Sequence, residues 1–252
     1  MYRIAYANFL NTTEGAHAQN TMDINGFKIE LPIGLEQVRN DKVRDSYQDF
    51  LQDNDSLVRR HLTALTTMLP KYIGQPNNVL HIFGGVGATA QLIDQCAPNV
   101  HHTFWERDPV LVDYLRTKYD DVHLVDDSYA AFLANEYLEQ YDAIMFDPSV
   151  GTIKTPLMKE CWAKLSSLRP DLIWLSDTAC AKIHLNAKFY AKDFDIDLPD
   201  ATAEGYLRTY DTWLQLNHGL RIVDAMREAA ETYCVVVPAS TKGTFPLPIP
   251  YM

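Results

Sequence analysis

The sequence predicts an α/β protein: an open, mostly parallel sheet that ends in an antiparallel hairpin, preceded by a small strand and helix extension. Two observations support this fold class. From Asn78 onward, apolar segments of strand length alternate with segments of helical pattern, which favours parallel strands joined by right-handed crossovers. The last two apolar segments have only a short link between them, so the final strand is expected to run antiparallel.

The region before Asn78 predicts the extension. Residues 1–25 are interpreted as a short apolar stretch followed by a polar loop, and FKIELPIG (27–34) alternates as a strand that ends at Pro32. Residues 35–70 are predicted to be helical in two pieces. The second piece has a single stripe formed by Leu57, His61, Leu65 and Met68.

The alternating region supplies seven predicted strands and five predicted helices. The strands are 79–83, 102–106, 122–125, 142–146, 171–176, 220–224 and 232–237. The helices are 88–97, 109–118, 128–138, 156–167 and 204–217. We expect two units along the chain, with an extension over 1–75 on the substrate side or at a dimer contact, and the sheet domain over 76–252.

The turn after the first strand of this region is rich in glycine. In VLHIFGGVGATA (79–90), Gly84, Gly85 and Gly87 remove side chains where the chain enters a helix, so backbone amides can approach a ligand. A glycine cluster of this kind also occurs in tight turns that bind nothing. Ligands in such sheets bind at the carboxyl ends of the strands.

Acidic residues follow the next three predicted strands. Glu106 ends the second strand 21 positions after Gly85, where an acidic side chain typically accepts hydrogen bonds from both ribose hydroxyls. Asp126 and Asp127 end the third strand, and Asp147 ends the fourth. Structural roles are the alternatives: Glu106 as a surface or capping acid, and Asp127 as a simple helix N-cap.

Residues 43–155 resemble the nucleotide-binding half of the spermidine-synthase-like proteins, within the class I S-adenosylmethionine-dependent methyltransferase superfamily. The resemblance is carried by SYQDFL, NNVLHIFGGVGAT, FWERDPVLVDYLR, VDDSYAAFL and YDAIMFDPS. It implies a Rossmann-like sheet of seven strands. It also implies S-adenosylmethionine, or its decarboxylated form, as the cofactor.

The same resemblance implies roles for individual residues. Glu106 would hold the ribose, and Asp127 would contact adenine. Asp147 ends the fourth strand, where the reacting end of a ligand would lie, and is the candidate catalytic residue that orients or deprotonates the acceptor. The complete set of expected cofactor-binding residues is Gly84, Gly85, Gly87, Glu106, Asp126, Asp127 and Gln48.

Three positions depart from the family pattern. Phe83 replaces a loop glycine, and we expect it to have a negative φ and to pack either between the first helix and the sheet or beside the methionine end. His81 is expected to be a hydrogen-bonded core residue. Val150 stands where aminopropyl-transferring members have a second aspartate, which argues against polyamine synthesis.

The expected function is therefore S-adenosylmethionine-dependent methyl transfer to a small or cationic acceptor. Two alternatives stay open: aminopropyl transfer from the decarboxylated cofactor, and a non-catalytic scaffold or virion component that keeps the fold. The aromatic Phe83 and His81 favour the scaffold, whereas Glu106 opposes it.

Composition restricts the expected partners, location and metal content of the protein. The net charge of −11 and the scattered Lys and Arg residues disfavour a nucleic-acid partner, and an acidic surface suits a cationic small molecule. The absence of a long apolar run or a secretory signal predicts a cytoplasmic protein without a membrane partner, with a homodimer as a further expectation. The four cysteines have no CxxC spacing, and the acidic DFDID segment lacks the glycine of a calcium loop, so no metal is expected.

Overall fold

The computed structural model describes residues 20–31, 57–134, 141–146, 155–177, 203–228 and 231–241. Its nine strands within these ranges are β1 (Asn20–Ile24), β2 (Phe27–Leu31), β3 (Asn78–Ile82), β4 (His101–Glu106), β5 (Asp121–Leu124), β6 (Ala143–Phe146), β7 (Leu172–Asp177), β8 (Leu220–Glu228) and β9 (Glu231–Pro238). The α-helices of the same ranges are α1 (Leu57–Met68), α2 (Ala88–Cys96), α3 (Pro109–Leu115), α4 (Ser128–Ala134), α5 (Thr155–Leu168) and α6 (Ala203–His218).

The main sheet has seven strands in the order β5-β4-β3-β6-β7-β9-β8. Strands β3 to β7 pair in parallel, whereas β9 lies antiparallel between β7 and β8. This is the Rossmann-like sheet with a terminal antiparallel hairpin that the sequence predicts. The predicted strands and helices of this region are confirmed where the structure describes them, with end points shifted by a few residues.

Central strands are apolar on both faces because helices cover both faces of a parallel sheet. All four residues of β6 are buried. In β3, Val79 belongs to one apolar cluster and Leu80 to another, since successive side chains point to opposite faces. Helices α1 and α2 cover the first face, and α4, α5 and α6 cover the second.

The small extension contains a hairpin that the sequence interpretation missed. Residues 20–24, which we expected to be part of a polar loop, form β1 and pair antiparallel with β2. The two-residue turn is Asn25-Gly26, with φ values of 55° and 85°. Two positive φ angles define the tight hairpin turn that Asn-Gly favours, so the dipeptide was the available signal.

The hairpin packs into the main domain. Ile24 and Ile29 are buried in the same apolar cluster as Leu65 and Met68 of α1 and Val79 of β3. The predicted second helical piece is thus confirmed, and the strand predicted to begin at Phe27 and end at Pro32 is confirmed as far as Leu31. The first helical piece lies outside the described residues. The division of the chain after residue 75 stays a prediction. Among the described helices, none has both the length and the apolar content needed to cross a membrane.

Candidate functional site

The carboxyl edge of the sheet is built around the junction of β3 and β6. These two strands are neighbours, but the chain leaves β3 toward β4 on one side and leaves β6 toward β7 on the other. Such a reversal opens a crevice beyond the strand ends, which is where ligands bind in open α/β sheets. The glycine turn follows β3, and Glu106 ends β4.

Backbone hydrogen bonds tie the ends of three strands together at this edge. The Phe83 N–H donates to the Trp105 carbonyl at 3.0 Å, and the Val125 N–H donates to the Glu106 carbonyl at 3.0 Å. The pairing of β3 with β4, and of β4 with β5, therefore continues past the strand ends. Phe83 and Val125, which follow these strands, are therefore hydrogen-bonded to the neighbouring strand through their backbone.

Two of the three loop glycines are required by packing against the protein itself. A Cβ on Gly84 would lie 2.8 Å from Phe104 Cδ1, and a Cβ on Gly87 would lie 2.9 Å from Leu115 Cδ2. Gly87 also has a φ of 72°. Both glycines thus face the protein interior, so their role as residues that line a cofactor stays a prediction.

Gly85 is the loop residue that Glu106 contacts. It has a φ of 53°, and its N–H donates to Glu106 Oε2 at 2.9 Å. Glu106 Oε1 accepts the N–H groups of Arg107 at 2.7 Å and Asp108 at 2.8 Å. The carboxylate therefore links the end of β4 to the glycine turn and holds the start of α3.

The Glu106 side chain is buried, with 6% of the residue exposed. Burial raises the pKa of its carboxyl above the usual value of 4.5, and the three N–H bonds offset part of that rise. A carboxylate has about four acceptor positions, of which three are occupied here. One position on Oε2 is left for a ligand hydroxyl, so accepting both ribose hydroxyls would require the Gly85 bond to move.

Asp126 and Asp127 are exposed beyond β5. Asp127 Oδ1 accepts the Ala130 N–H at 2.9 Å, which makes Asp127 the N-cap of α4. The structural alternative for Asp127 is therefore realised in the structure. A capping carboxylate has a second oxygen, so the cap does not exclude contact with a ligand.

Phe83 departs from its expected backbone conformation. Its φ is 71° and not negative, because the turn after β3 requires a left-handed backbone that glycine adopts more easily than phenylalanine. The ring does not pack between α2 and the sheet either. It lies on the opposite face, edge-on to Tyr129 of α4 with ring centroids 4.5 Å apart. Tyr129 was not recognised from the sequence, although its position in the first turn of the helix after Asp127 was an available signal.

His81 is a hydrogen-bonded core residue, as predicted. It is buried in the centre of β3 and stacks on Phe104, with ring centroids 4.5 Å apart. Its Nε2 lies 2.9 Å from His102 Nδ1, and His102 Nε2 lies 3.0 Å from Asp94 Oδ1. Burial lowers the pKa of His81 well below 6.5, and the neighbouring His102 lowers it further.

The remaining predicted residues lie outside the described part of the chain. These are Gln48, Asp147 and Val150. The proposed contacts of Gln48 and the catalytic role of Asp147 therefore stay predictions.

Comparisons with known proteins were made by sequence and by structure. No family model matches the chain, and no curated protein matches it. A solved structure of the PH0226 protein from Pyrococcus horikoshii OT3 is similar, with a TM-score of 0.50, 13% identity, and coverage of 74% of this chain and 93% of that one. The O-methyltransferase TomG from Streptomyces achromogenes, solved with SAM, gives a TM-score of 0.49 at 12% identity over 83% of this chain and 91% of that one.

The likeness to PH0226, at 13% identity, concerns the fold alone. The strand order and the antiparallel terminal strand agree with the predicted class: a Rossmann-like α/β protein with its candidate site at the carboxyl edge. The finer resemblance to spermidine-synthase-like proteins stays a prediction.

Proposed function

We propose that this chain binds S-adenosylmethionine at the carboxyl edge of its sheet and transfers the methyl group to a small or cationic acceptor. The observation that carries the proposal is the position of Glu106. Its carboxylate ends β4 beside the strand reversal, contacts the glycine turn through Gly85, and keeps one acceptor position for a ligand hydroxyl.

The residues at this edge fit the adenosine part of the cofactor. Glu106 would accept a ribose hydroxyl, and the free oxygen of Asp127, with Asp126 beside it, would accept the adenine amino group. When bound, the cofactor supplies a methyl group on a positively charged sulfur. Methyl transfer needs in-line approach of a nucleophile, so the main task of the chain is to position the acceptor.

Asp147 is the residue proposed for the acceptor. It comes directly after Phe146, the last residue of β6, in the sequence. A carboxylate there would orient a nucleophile, or remove its proton where it has one to lose. Gln48 is proposed as a further cofactor contact. The net charge of −11 supports a cationic acceptor, since an acidic surface raises the local concentration of cations.

Aminopropyl transfer from the decarboxylated cofactor is a related alternative, and Val150 argues against it. A non-catalytic scaffold is the second candidate, and a specific observation favours it. Gly84 and Gly87 are explained by packing, and three of the four acceptor positions of Glu106 are filled by backbone. A protein that had lost the cofactor would keep both features for its fold.

Calorimetry separates these candidates. We expect the chain to bind S-adenosylmethionine with a dissociation constant on the order of micromolar, as is common for metabolites. The decarboxylated form and the demethylated product are titrated beside it. Preference for the decarboxylated form would favour aminopropyl transfer. If no adenosyl ligand binds, the non-catalytic scaffold is the candidate function that remains.

Two variants test the site itself. Glu106→Ala is expected to weaken binding by about 1–3 kcal/mol, and circular dichroism checks that it stays folded, since Glu106 also holds backbone. Asp127→Asn keeps the N-cap, because asparagine caps as well as aspartate, but replaces the carboxylate. It should weaken binding without loss of stability. Asp113→Ala, an exposed acid on α3, is the matched control.

A further inference from the structure

Three aromatic side chains, Phe83, Tyr129 and Phe146, are in contact at the carboxyl edge of the sheet. Phe83 stands where the family pattern has a glycine. Phe83 lies edge-on to Tyr129, with ring centroids 4.5 Å apart and planes at 62°. Tyr129 in turn lies edge-on to the buried Phe146, with centroids 5.6 Å apart. Phe83 and Tyr129 are both half-buried, so neither ring is wholly covered by the protein.

The order of the strands places Phe83 on the path of the proposed ligand. Glu106 ends β4, Phe83 follows β3, and residue 147 follows β6, and these strands are neighbours in that order. The pairing of Ile82 with Phe146 shows that β3 and β6 end level with each other, so Phe83 lies directly beyond this shared edge. A ligand that has its ribose at Glu106 and its reactive group toward β6 must pass the end of β3. The sulfur lies between these two parts of the ligand.

The backbone at Phe83 is strained, and glycine would remove the strain. A φ of 71° is a left-handed conformation, which is unfavourable for a residue with a side chain and not for glycine. Strained residues of this kind concentrate at functional sites. Position 83 therefore has a phenylalanine although its backbone conformation favours glycine.

From these observations, and resting on the proposed function, we propose that the aromatic pair of Phe83 and Tyr129 selects the positively charged sulfonium of S-adenosylmethionine over the neutral thioether of S-adenosylhomocysteine. Aromatic faces carry negative partial charge and attract ligand cations within about 6 Å of the ring centroid. The two ligands share adenosine and amino-acid parts, so the rings would act on the charge. The product S-adenosylhomocysteine would then bind more weakly than the substrate S-adenosylmethionine and would be released after the reaction.

Acidic side chains are the other source of preference for a cation at this edge. Glu106 is buried nearby, and Asp126 and Asp127 are exposed beyond β5. A variant that removes a ring and keeps all three carboxylates separates the two causes. Phe83→Leu does this, since leucine keeps apolar bulk and has the same strain at positive φ.

The experiment measures the dissociation constants of both ligands by calorimetry for the wild type, Phe83→Leu and Phe83→Tyr. We expect Phe83→Leu to lower the preference for the sulfonium about 2- to 30-fold, chiefly through weaker S-adenosylmethionine binding. Phe83→Tyr should keep the preference, because it keeps the ring. Tyr129→Leu, with Tyr129→Phe as its ring-keeping control, gives the same test if Phe83→Leu does not fold.

The outcomes are distinct. An unchanged preference in both leucine variants, or an equal loss for both ligands, would overturn the aromatic selection and leave the proposed function standing. Failure of the wild type to bind either ligand would overturn the proposed function, and the selection with it.

Discussion

His81 Nε2 lies 2.9 Å from His102 Nδ1 within the sheet, and His102 continues the chain of hydrogen bonds to Asp94 on α2. A carboxylate accepts, so His102 donates from Nε2. Burial, with the neighbouring His102, lowers the pKa of His81 and favours its neutral form, which gives the protein a pH-dependent stability.

The sign of that dependence follows from the lowered pKa of His81. The unfolded chain binds a proton at His81 below about pH 6.5, whereas the folded chain does not until its lower pKa is reached. Stability is therefore fully present above pH 6.5 and falls as the pH drops below it. The slope from this group is at most about 1.4 kcal/mol per pH unit.

Urea denaturation at pH 7.5 and 5.5 measures this effect. The decrease in stability should be smaller in His81→Gln, which keeps a donor toward His102 but cannot titrate. His101→Gln removes an exposed histidine from the start of β4 and should match the wild type. Equal slopes for the wild type and His81→Gln would show that His81 is not the titrating group.

The positive φ of Phe83 predicts an inverted order of substitutions. Both Phe83→Ala and Phe83→Gly lose the contact with Tyr129, but only glycine also relieves the strain of a φ of 71°. We expect the glycine variant to be more stable than the alanine variant by about 1–2 kcal/mol. The same pair at Asp113, an exposed helical position, should show the opposite order by about 1 kcal/mol. A more stable alanine variant at position 83 would contradict the left-handed backbone.

The contact between Gly87 and Leu115 predicts an overpacking effect. Gly87→Ala places a methyl group 2.9 Å from Leu115 Cδ2 and adds strain at a φ of 72°. Gly26→Ala adds strain at a φ of 85°, with no atom within 4 Å of the new methyl group. Gly87→Ala should therefore cost about 1–3 kcal/mol more than Gly26→Ala. In a Leu115→Ala background this excess should shrink, which a double-mutant cycle measures.

The sheet could be predicted from the sequence because its central strands are buried on both faces. Runs such as 79–83 and 142–146 are almost wholly apolar, because a strand that is buried on both faces has apolar residues at nearly every position. The antiparallel pairing of β8 with β9 could also be predicted locally, because only a short link separates the two apolar segments. The position of Glu106 beside Gly85 followed from the spacing, and the hydrogen bond between them agrees with it.

Other features depend on partners that are distant in sequence. β1 is polar in pattern, and its strand conformation follows from pairing with β2 and from burial of Ile24 against α1. Likewise, the inward orientation of Gly87 depends on Leu115, which belongs to another helix. The φ of Phe83 could not be predicted, because the turn imposes a conformation that the residue itself disfavours.

Two glutamines of α2 hold the open edge of the hairpin. The Gln95 amide accepts the Lys28 N–H at 2.9 Å and donates to the Lys28 carbonyl at 2.8 Å. Gln91, one turn earlier, does the same with Glu30, at 2.8 and 2.9 Å. The spacing of two residues on β2 matches one helical turn, so the side chains replace the hydrogen bonds of a neighbouring strand.

This arrangement predicts that Gln91→Ala exposes the edge of β2 to solvent. Loss of two hydrogen bonds at Glu30 should speed exchange of its amide proton about 5- to 150-fold, the equivalent of about 1–3 kcal/mol of local opening free energy. Hydrogen–deuterium exchange over Phe27–Leu31 measures the change. Gln215→Ala is the matched control, because the Gln215 amide donates to Asp211 one turn earlier on the same helix, α6, and makes no bond to β2. Unchanged exchange at Glu30 would mean that packing of Ile24 and Ile29, and not the glutamine pair, holds the hairpin on the domain.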